Sequence, residues 1–380
     1  MGTKHLGLIS AATFAAVLLA HAPVVRADPL TKAAALAACE KAQFGPETPY
    51  GETAAEKQAK KLTFQWNCKA MVEGKVSEAF EKYVSKDFCD HSHLVTRGQK
   101  DCGNYAETEQ SFERMAKQFG GGPTIEVPVL ATVDGDMVVH YGEGVDIFRV
   151  KDGKLTDHWD ASPPAEISID AHAPGFTDWV LGDRKGPPPM VKSATPKGVV
   201  VDRALMTAVN TGPLTPYAET AKESDAKRTV FRWNFMAIVQ GKPKEAAEQF
   251  VAANFCDHSH MVTRAKKDCG TREELLAGPL GQAKAVKVGD RIELPMLATV
   301  SGEMVTMYGA GVDIFRVVDG KITDHWDASP GKALTLKAHD VNVVEDMIKV
   351  LRGEQMRRDP FGGGAPPAGA APGAGPPPAN

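Results

Sequence analysis

The chain has 380 residues and a formal net charge of -4, and 43% of its residues are hydrophobic and 24% are charged. That length suits two domains of ordinary size better than one. The weakly acidic balance, without a stripe of clustered lysine and arginine, disfavours a nucleic-acid-binding protein.

Residues 1–27 have the pattern of a secretory signal peptide. A short basic start precedes an apolar run over residues 6–20, and Val25-Arg26-Ala27 places small residues at the positions that a signal peptidase inspects. An uncleaved anchor is the alternative, but the run is shorter than the roughly 20 residues that a spanning helix needs. We therefore expect a periplasmic or secreted protein without membrane contact after cleavage.

A ten-residue motif occurs twice with one replacement. Residues 88–97 are FCDHSHLVTR and residues 255–264 are FCDHSHMVTR, and the offset of 167 residues continues without a gap on both sides. This period indicates a domain duplication, because it is too long for a solenoid repeat. The Gly/Pro/Ala composition of the last residues predicts a disordered tail. The predicted organisation is a signal peptide at 1–27, domain 1 (copy 1) at 28–175, a linker at 176–205, domain 2 (copy 2) at 206–352 and the tail at 353–380.

Cysteine spacing predicts disulfide bonds. Cys89 and Cys102 are separated by 13 residues, and so are Cys256 and Cys269. A spacing kept in both copies predicts one bridge in each, and a bridge over a loop of this size contributes about 3 kcal/mol in the chain-entropy account. Thiolate metal ligands are the alternative, but they would need more cysteine or histidine at closer spacing.

The remaining two cysteines predict a third bridge. The offset between the copies aligns Cys39 with Met206 and Cys68 with Phe235, so apolar side chains replace both cysteines together. Two side chains in contact would be replaced in this way. We therefore predict a Cys39–Cys68 bridge in copy 1 alone.

Helices come first in each copy and strands follow. The first predicted helix, residues 53–73, places Leu62, Trp66 and Ala70 on one face and ends at Gly74. The repeated motif then forms a short strand or an extended segment between two further helices. Helices followed by a run of antiparallel strands predict an α+β domain. The other predicted elements of copy 1 are a helix from residue 76, a helix at 104–118, and strands at 124–133, 137–150 and 154–161, separated by Asp134-Gly135 and Asp152-Gly153 turns.

The last strands resemble a known family. GVDIFRVKDGKLTDHWD (residues 144–160) and GVDIFRVVDGKITDHWD (residues 311–327) are similar to the strands that close SnoaL-like domains of the NTF2-like superfamily. His91 matches the histidine of that family's early motif, whereas Ser92 and His93 stand where the family has Asn-Pro. The resemblance implies two tandem cone domains, each with N-terminal helices packed on a curved antiparallel sheet around an apolar pocket. It also implies that the two sheets pair as an intrachain pseudo-dimer.

Several residues are candidates for acid/base chemistry. In an extended segment His91 and His93 point to one face, and in the last strand His158 and Asp160 share a face. If Asp-Gly forms a two-residue hairpin turn, Ile147 lies opposite His158. A histidine and a carboxylate in such an apolar wall have the pKa values that proton transfer beside a carbonyl requires. The predicted catalytic residues are His91, His158 and Asp160 with His258, His325 and Asp327 in copy 2, and the predicted pocket residues are Trp66, Asp90, His93, Tyr141, Trp233, Asp257, His260 and Tyr308.

Three readings of these residues stay open. The preferred one is an exported protein that binds a small apolar carbonyl-bearing molecule and performs cofactor-independent acid/base catalysis such as isomerisation, cyclisation, aldol chemistry or dehydration. The second is a non-catalytic ligand-binding or scaffolding protein, in which Asp160 bonds the backbone at a strand end and His158 is a satisfied buried histidine. The third is a His/carboxylate metal site formed by His91 and His93 with the remote His158 and one aspartate. Copy 1 is the more polar copy, since His140 aligns with Met307, and is the better candidate for activity.

Overall fold

The computed structural model describes most of the two copies, and every structural statement below concerns the residues that it describes. The predicted tail, nearly all of the predicted linker, and the predicted signal peptide apart from Val25–Arg26 lie outside them. The described residues are 25–26, 30–42, 44–46, 48–96, 99–119, 124–125, 127–142, 144–169, 199–200, 205, 209–263, 266–292, 294–309 and 311–336.

The fold is α+β, as predicted, and the helices of each copy precede its main strands. The first predicted helix forms as Ala54–Asn67 and continues as the π-helical turn Cys68–Val72. Its start is fixed locally, because the Thr53 hydroxyl accepts a hydrogen bond from the Glu56 backbone N–H and the Glu56 carboxylate accepts one from Thr53. The other helices are Lys32–Lys41, Val76–Tyr83, His93–Thr96 and Tyr105–Phe119 in copy 1, and Ala221–Asn234, Phe235–Val239 (π), Pro243–Phe250, His260–Thr263, Arg272–Ala277 and Pro279–Gln282 (3-10) in copy 2.

Each copy has one main sheet, and this sheet is mixed rather than purely antiparallel as predicted. Val84–Asp90 pairs in parallel with Lys154–Asp160, since a long connection separates these two strands along the chain. The remaining neighbours are antiparallel. The sheet of copy 1 has six strands, because the short strand Gly103–Asn104 pairs antiparallel with Val84–Asp90 at its edge. The strand order is Gly103–Asn104, Val84–Asp90, Lys154–Asp160, Val145–Lys151, Met137–Tyr141 and Leu130–Asp134 in copy 1, and Val251–Asp257, Lys321–Asp327, Val312–Val318, Met304–Tyr308 and Leu297–Ser301 in copy 2.

The prediction of a single strand over residues 137–150 is wrong, because these residues form an antiparallel hairpin of two strands. Met137–Tyr141 and Val145–Lys151 pair with each other, and Gly142 donates a backbone hydrogen bond to the carbonyl of Gly144 in the turn. Apolar residues recur on both sides of this turn, so the hydrophobic pattern does not mark it. Two glycines separated by one residue were the only turn signal.

A β-bulge changes the predicted register of the last hairpin. Asp152 and Gly153 form the expected two-residue turn, with φ values of 50° and 69°. Beyond the turn the register shifts by one residue, so Phe148 lies opposite His158 and Ile147 lies opposite Trp159. The predicted pairing of Ile147 with His158 is therefore wrong by one residue.

The sheet of each copy is buried on both faces. Towards the helices of copy 1, Trp66, Phe80 and Phe148 belong to one hydrophobic core. On the other face, a second core joins Ile147 and Trp159 to the sheet of copy 2. This second core, called the sheet interface below, contains Tyr141, Val145, Ile147, Trp159 and Ile169 of copy 1 and Tyr308, Val312, Ile314, Trp326 and Leu336 of copy 2.

Contacts between the copies are reciprocal. The Tyr141 hydroxyl donates to the Ala328 carbonyl, and the equivalent Tyr308 hydroxyl donates to the Ala161 carbonyl. Ser168 lies opposite Thr335, which is its own equivalent at a separation of 167 residues. Equivalent residues that face each other define an isologous arrangement, the geometry of a twofold dimer.

A short strand from the predicted signal peptide lies at the edge of this contact. Val25–Arg26 pairs in parallel with Leu334–Leu336, which also pairs with Ile167–Ile169. Cleavage after Ala27 would remove the strand at 25–26, whereas the pairing between the two copies does not depend on it.

The six cysteines form the three predicted pairs. The S–S distances are 2.05 Å for Cys39–Cys68, 2.17 Å for Cys89–Cys102 and 2.18 Å for Cys256–Cys269. Three disulfides fit a protein that matures in an oxidising compartment outside the cytoplasm. No described helix has the length and apolar composition needed to cross a membrane.

Candidate functional site

The first histidine of the repeated motif contacts the strand beside it. His91 Nε2 lies 3.1 Å from Asp157 Oδ1, and the imidazole stacks on Trp159 with a centroid distance of 4.6 Å. His91 Nδ1 lies 3.6 Å from Cys89 Sγ and 3.0 Å from the Asp101 carbonyl oxygen. The pKa of Asp157 is below its usual value. Burial by itself would raise this pKa, but the hydrogen bonds from His91 and Thr156 and the charge of Arg149 lower it by a larger amount.

His158 forms a buried ion cluster on the opposite face of that strand. Its Nδ1 lies 3.2 Å from Asp90 Oδ1, and its Nε2 lies 3.1 Å from Asp146 Oδ1. Burial alone would lower the pKa of His158, but the two carboxylates outweigh burial and raise it to about 10. His158 is thus an imidazolium at neutral pH, with Nε2 hydrogen-bonded to Asp146 and Nδ1 in an ion pair with Asp90. In copy 2, His325 lies between Asp257 and Asp313 in the same way.

The predicted catalytic trio does not meet in one cavity. His91 contacts Asp157 and Trp159, which alternate along the strand with His158, so the two imidazoles lie on opposite faces of the sheet. Asp160 ends the strand, and its carboxylate accepts a hydrogen bond from the Ser162 backbone N–H at 2.9 Å. Asp327 accepts from Ser329 in the same way.

His93 joins the two copies. The strand ends at Asp90, whose carboxylate accepts a hydrogen bond from the Ser92 N–H, and a helical turn then begins at His93. The chain is therefore not extended across His91–His93, and each imidazole has its own partner. His93 Nε2 lies 2.8 Å from Glu223 of copy 2, and the ring stacks on Tyr217 at 4.0 Å.

The reciprocal pair uses His260 of copy 2. It lies 2.8 Å from Glu56 and stacks on Tyr50 at 4.1 Å. Here copy 1 adds a second carboxylate, because Asp134 lies 3.5 Å from the same ring nitrogen, whereas its equivalent in copy 2 is Ser301. Burial and neighbouring carboxylates, Asp327 foremost, raise the pKa of Asp134 well above its usual value.

The predicted pocket aromatics lie in cores. Trp66 is 3% exposed, and edge contacts to Phe80, Phe112 and Phe148 surround its ring. Trp233 is 7% exposed and packs against Phe315. Tyr141 and Tyr308 lie in the sheet interface, because the register directs them away from the helices.

Thr63 and His140 form a buried polar pair in copy 1, of which only His140 was singled out from the sequence. His140 Nε2 lies 3.0 Å from Thr63 Oγ1, and the Thr63 hydroxyl donates to the Lys60 carbonyl. The hydroxyl proton is thus used, so Nε2 carries the imidazole proton and Nδ1 is an unprotonated acceptor that no described group contacts by a hydrogen bond. Burial, with a smaller effect of the Lys60 charge, lowers the pKa of His140 to about 3.

Both members of this pair are replaced in copy 2. At the offset of 167 residues Thr63 aligns with Val230, and His140 aligns with Met307. The signal in the sequence was this joint replacement, which has the same form as the loss of the Cys39–Cys68 pair.

A cleft lies between the copies, beside the motif of copy 2. It encloses about 1080 Å³, and we call it the inter-copy cleft. Copy 1 contributes the outer face of Ala54–Asn67 and two hairpin turns, and copy 2 contributes His258 and the segment after it. Its lining is mixed, with apolar side chains, three lysines, four carboxylates and one histidine: Leu62, Val150, Lys61, Lys266, Lys267, Glu56, Asp136, Asp152, Asp268 and His258.

Among the described residues, metal-ligand geometry occurs at one place in each copy. Ligating atoms of Cys89, His91 and Asp157 lie within 4.8 Å of one another, as do those of the equivalent residues in copy 2. The sulfur of Cys89 is bonded to Cys102, so a thiolate ligand is available only after reduction. This set differs from the predicted one, since His93 is directed towards the other copy.

Comparison of the chain with known protein families and with curated proteins finds no match. The SnoaL-like resemblance therefore stays a prediction from the residues.

Proposed function

We propose that the chain is an exported small-molecule-binding protein, built as an intrachain pseudo-dimer of two SnoaL-like copies, and that its ligand lies in the inter-copy cleft. The observation that carries this proposal is the cleft itself, which encloses about 1080 Å³ between surfaces of both copies. Small-molecule sites typically enclose about 300–1,000 Å³ and occur at domain junctions.

The contacts of the candidate acid/base residues favour binding over turnover. His158 and His325 are charged and lie between carboxylates, His93 and His260 pair with glutamates of the other copy, and Asp160 bonds the backbone. A general base must have a free lone pair near the working pH. Among these residues the proton-accepting positions are already used.

The lining of the cleft indicates the chemistry of the ligand. Leu62 and Val150 supply an apolar surface. Around it lie the ammonium groups of three lysines, one of which, Lys267, pairs with Glu274 outside the cleft, and four carboxylates: Glu56, Asp136, Asp152 and Asp268. The lysines offer hydrogen-bond donors to the carbonyl oxygens of the molecules predicted from the sequence, and the carboxylates offer acceptors to hydroxyl or amino groups. The expected ligand therefore has an apolar body that carries carbonyl oxygens together with hydrogen-bond donors.

Binding can be tested with a variant that fills the cleft. Native mass spectrometry and calorimetry with aromatic and aliphatic keto acids would provide the ligand and its Kd. We expect Leu62→Trp to weaken binding by at least about tenfold, the loss of about 1.4 kcal/mol of contact energy. Lys32→Glu is the matched control, because Lys32 is exposed on Lys32–Lys41 and does not line the cleft. Equal binding by both variants would contradict the cleft assignment.

The unprotonated nitrogen of His140 does not support a second, catalytic function. His140 is 1% exposed and is not among the residues that line the inter-copy cleft. Its pKa of about 3 also makes it a weak base at neutral pH, whereas general acid/base catalysis favours a pKa near the working pH.

A further inference from the structure

Two of the three disulfides lie beside a histidine that a carboxylate holds in place. Cys89 Sγ is 3.6 Å from His91 Nδ1, and the other ring nitrogen is 3.1 Å from Asp157 Oδ1. The Cys39–Cys68 bridge has a different setting, since it lies in an apolar cluster with Ala35, Phe64 and Val72.

Copy 2 repeats this arrangement almost without change. Cys256 Sγ is 3.7 Å from His258 Nδ1, and His258 Nε2 is 3.1 Å from Asp324 Oδ1. The His258 ring stacks on Trp326 at 4.6 Å, the centroid distance also found in copy 1. The geometry is therefore a property of the repeat.

The hydrogen-bond partners of His91 place a ring N–H beside the sulfur. Nδ1 is 3.0 Å from the Asp101 carbonyl oxygen, which only accepts hydrogen bonds, so Nδ1 carries a proton. This N–H is 3.6 Å from Cys89 Sγ, and the contact between Nε2 and Asp157 keeps the ring in that position. A hydrogen-bond donor beside the sulfur stabilises a cysteine thiolate, and a more stable thiolate is a better leaving group in disulfide exchange.

We propose that Cys89–Cys102 and Cys256–Cys269 are redox-active disulfides that accept two electrons from an external dithiol, with Cys89 and Cys256 leaving as thiolates beside His91 and His258. Cys39–Cys68 is a structural bridge. This activity is separate from ligand binding in the inter-copy cleft and does not rest on it.

The exchange has two balanced steps. A thiolate of the external dithiol attacks Cys102 Sγ, the Cys89–Cys102 bond breaks, and the bonding electron pair leaves on Cys89 as a thiolate. The second thiol of the dithiol, after losing its proton, attacks its own sulfur in the mixed disulfide and releases Cys102, which takes up a proton. The dithiol is oxidised to a disulfide, and the protein disulfide is reduced by two electrons.

Exposure selects the sulfur that is attacked. In copy 2, Cys269 is exposed and Cys256 is half-buried beside the imidazole. In copy 1, Cys102 and Cys89 are both half-buried. We therefore expect the bridge of copy 2 to react faster. His258 lines the inter-copy cleft but Cys256 and Cys269 do not, so a dithiol reaches the bridge from the exposed side of Cys269.

The test uses dithiothreitol as the dithiol and the full oxidised protein. Samples are quenched with an alkylating reagent at successive times, and mass spectrometry of peptides gives the reduction of each bridge. We expect Cys256–Cys269 to be reduced first, Cys89–Cys102 next and Cys39–Cys68 last.

Single variants isolate the contribution of each histidine, because the other copy is a control within the same molecule. His91→Gln keeps a polar side chain and removes the imidazole beside the sulfur, and it should slow the reduction of Cys89–Cys102 by about tenfold or more while leaving Cys256–Cys269 unchanged. His258→Gln should have the opposite selectivity. A general loss of folding would instead accelerate reduction of all three bridges.

A pH profile separates thiolate stabilisation from a purely structural role. In the reduced protein, alkylation of Cys89 should have its midpoint below the value of about 8.5 for an ordinary cysteine, and His91→Gln should move that midpoint upward. Equal reduction rates for wild type and both glutamine variants, or an unshifted alkylation midpoint, would overturn the proposal.

Discussion

Replacing Glu223 by glutamine removes the carboxylate that ties copy 1 to copy 2 through His93. Glu223 is the third residue of the helix that Thr220 caps, and its carboxylate accepts hydrogen bonds from the backbone N–H groups of Thr220 and Gly302 as well as from His93. Glutamine offers a single acceptor oxygen. It cannot satisfy these three donors, and it also removes the charge opposite the imidazole.

The expected loss of stability follows from the pKa of the carboxyl group. The pKa of Glu223 is about 2, compared with the ordinary value of 4.5. Burial by itself would raise this pKa, but the hydrogen bonds from His93, Gly302 and Thr220 lower it by a larger amount. At about 1.4 kcal/mol per pKa unit, the ionised carboxylate contributes about 3 kcal/mol to the free energy of unfolding. Because the pKa is lower in the folded state, this contribution is present above pH 4.5 and is lost as the pH falls towards 2.

Urea unfolding at several pH values tests this prediction. Near neutral pH, Glu223→Gln should lower the free energy of unfolding by about 3 kcal/mol, and at about pH 3 the difference from wild type should be less than half as large. Glu56→Gln should behave alike, since it pairs with His260 in the equivalent position and the pKa of Glu56 is also about 2. The control is Glu166→Gln, at an exposed position, which should leave stability unchanged.

A difference in the free energy of unfolding between Glu223→Gln and wild type that does not depend on pH would contradict this prediction. If Glu223→Gln loses as much free energy at about pH 3 as at neutral pH, the effect is loss of packing and not of the ionised carboxylate. No difference at any pH would show that the His93–Glu223 contact contributes nothing to the free energy of unfolding.

Three further variants give independent tests. Asp134→Asn should raise the thermal midpoint at neutral pH and have no effect at about pH 3, because the raised pKa of Asp134 means that its ionisation opposes folding as the pH rises. The double variant Cys39→Met/Cys68→Phe, which carries the residues of copy 2, should lower the free energy of unfolding in urea by about 3–4 kcal/mol, the value expected for a closed loop of this length. Thr63→Val alone should lower the free energy of unfolding, measured by calorimetry, by about 1–3 kcal/mol, because it leaves His140 buried without its partner. Adding His140→Met should restore most of this stability, whereas additive losses in the double variant would contradict a paired contact.

Local signals account for the predictions that were confirmed. The helix from Ala54 begins at a Thr53–Glu56 capping box that lies within four residues, and Gly74, with a φ of 72°, ends the helical segment. The joint replacement of Cys39 and Cys68 indicated a contact, because duplication provides a second sequence for comparison. These signals are contained in short segments or in the alignment of one copy with the other.

The errors arose where a small backbone change has a distant effect. The bulge beside the last hairpin shifts the register by one residue, and this single residue places Phe148 beside His158 and leaves Asp146 within reach of it. The turn at Gly142 divides a predicted strand into two. Neither changes the alternation of apolar residues enough to be detected from the pattern.

The sequence by itself determined the duplication, the α+β class, the three cysteine pairs and the concentration of ionisable residues in each motif. Only the tertiary structure decided what those residues contact. His93 pairs with a glutamate 130 residues away in the other copy, His91 faces a carboxylate 66 residues away, and Asp160 bonds its own strand end. The physical reason is that the charge and reactivity of a side chain depend on the groups within a few ångströms of it, and the packing of the two sheets brings those groups together from distant parts of the chain.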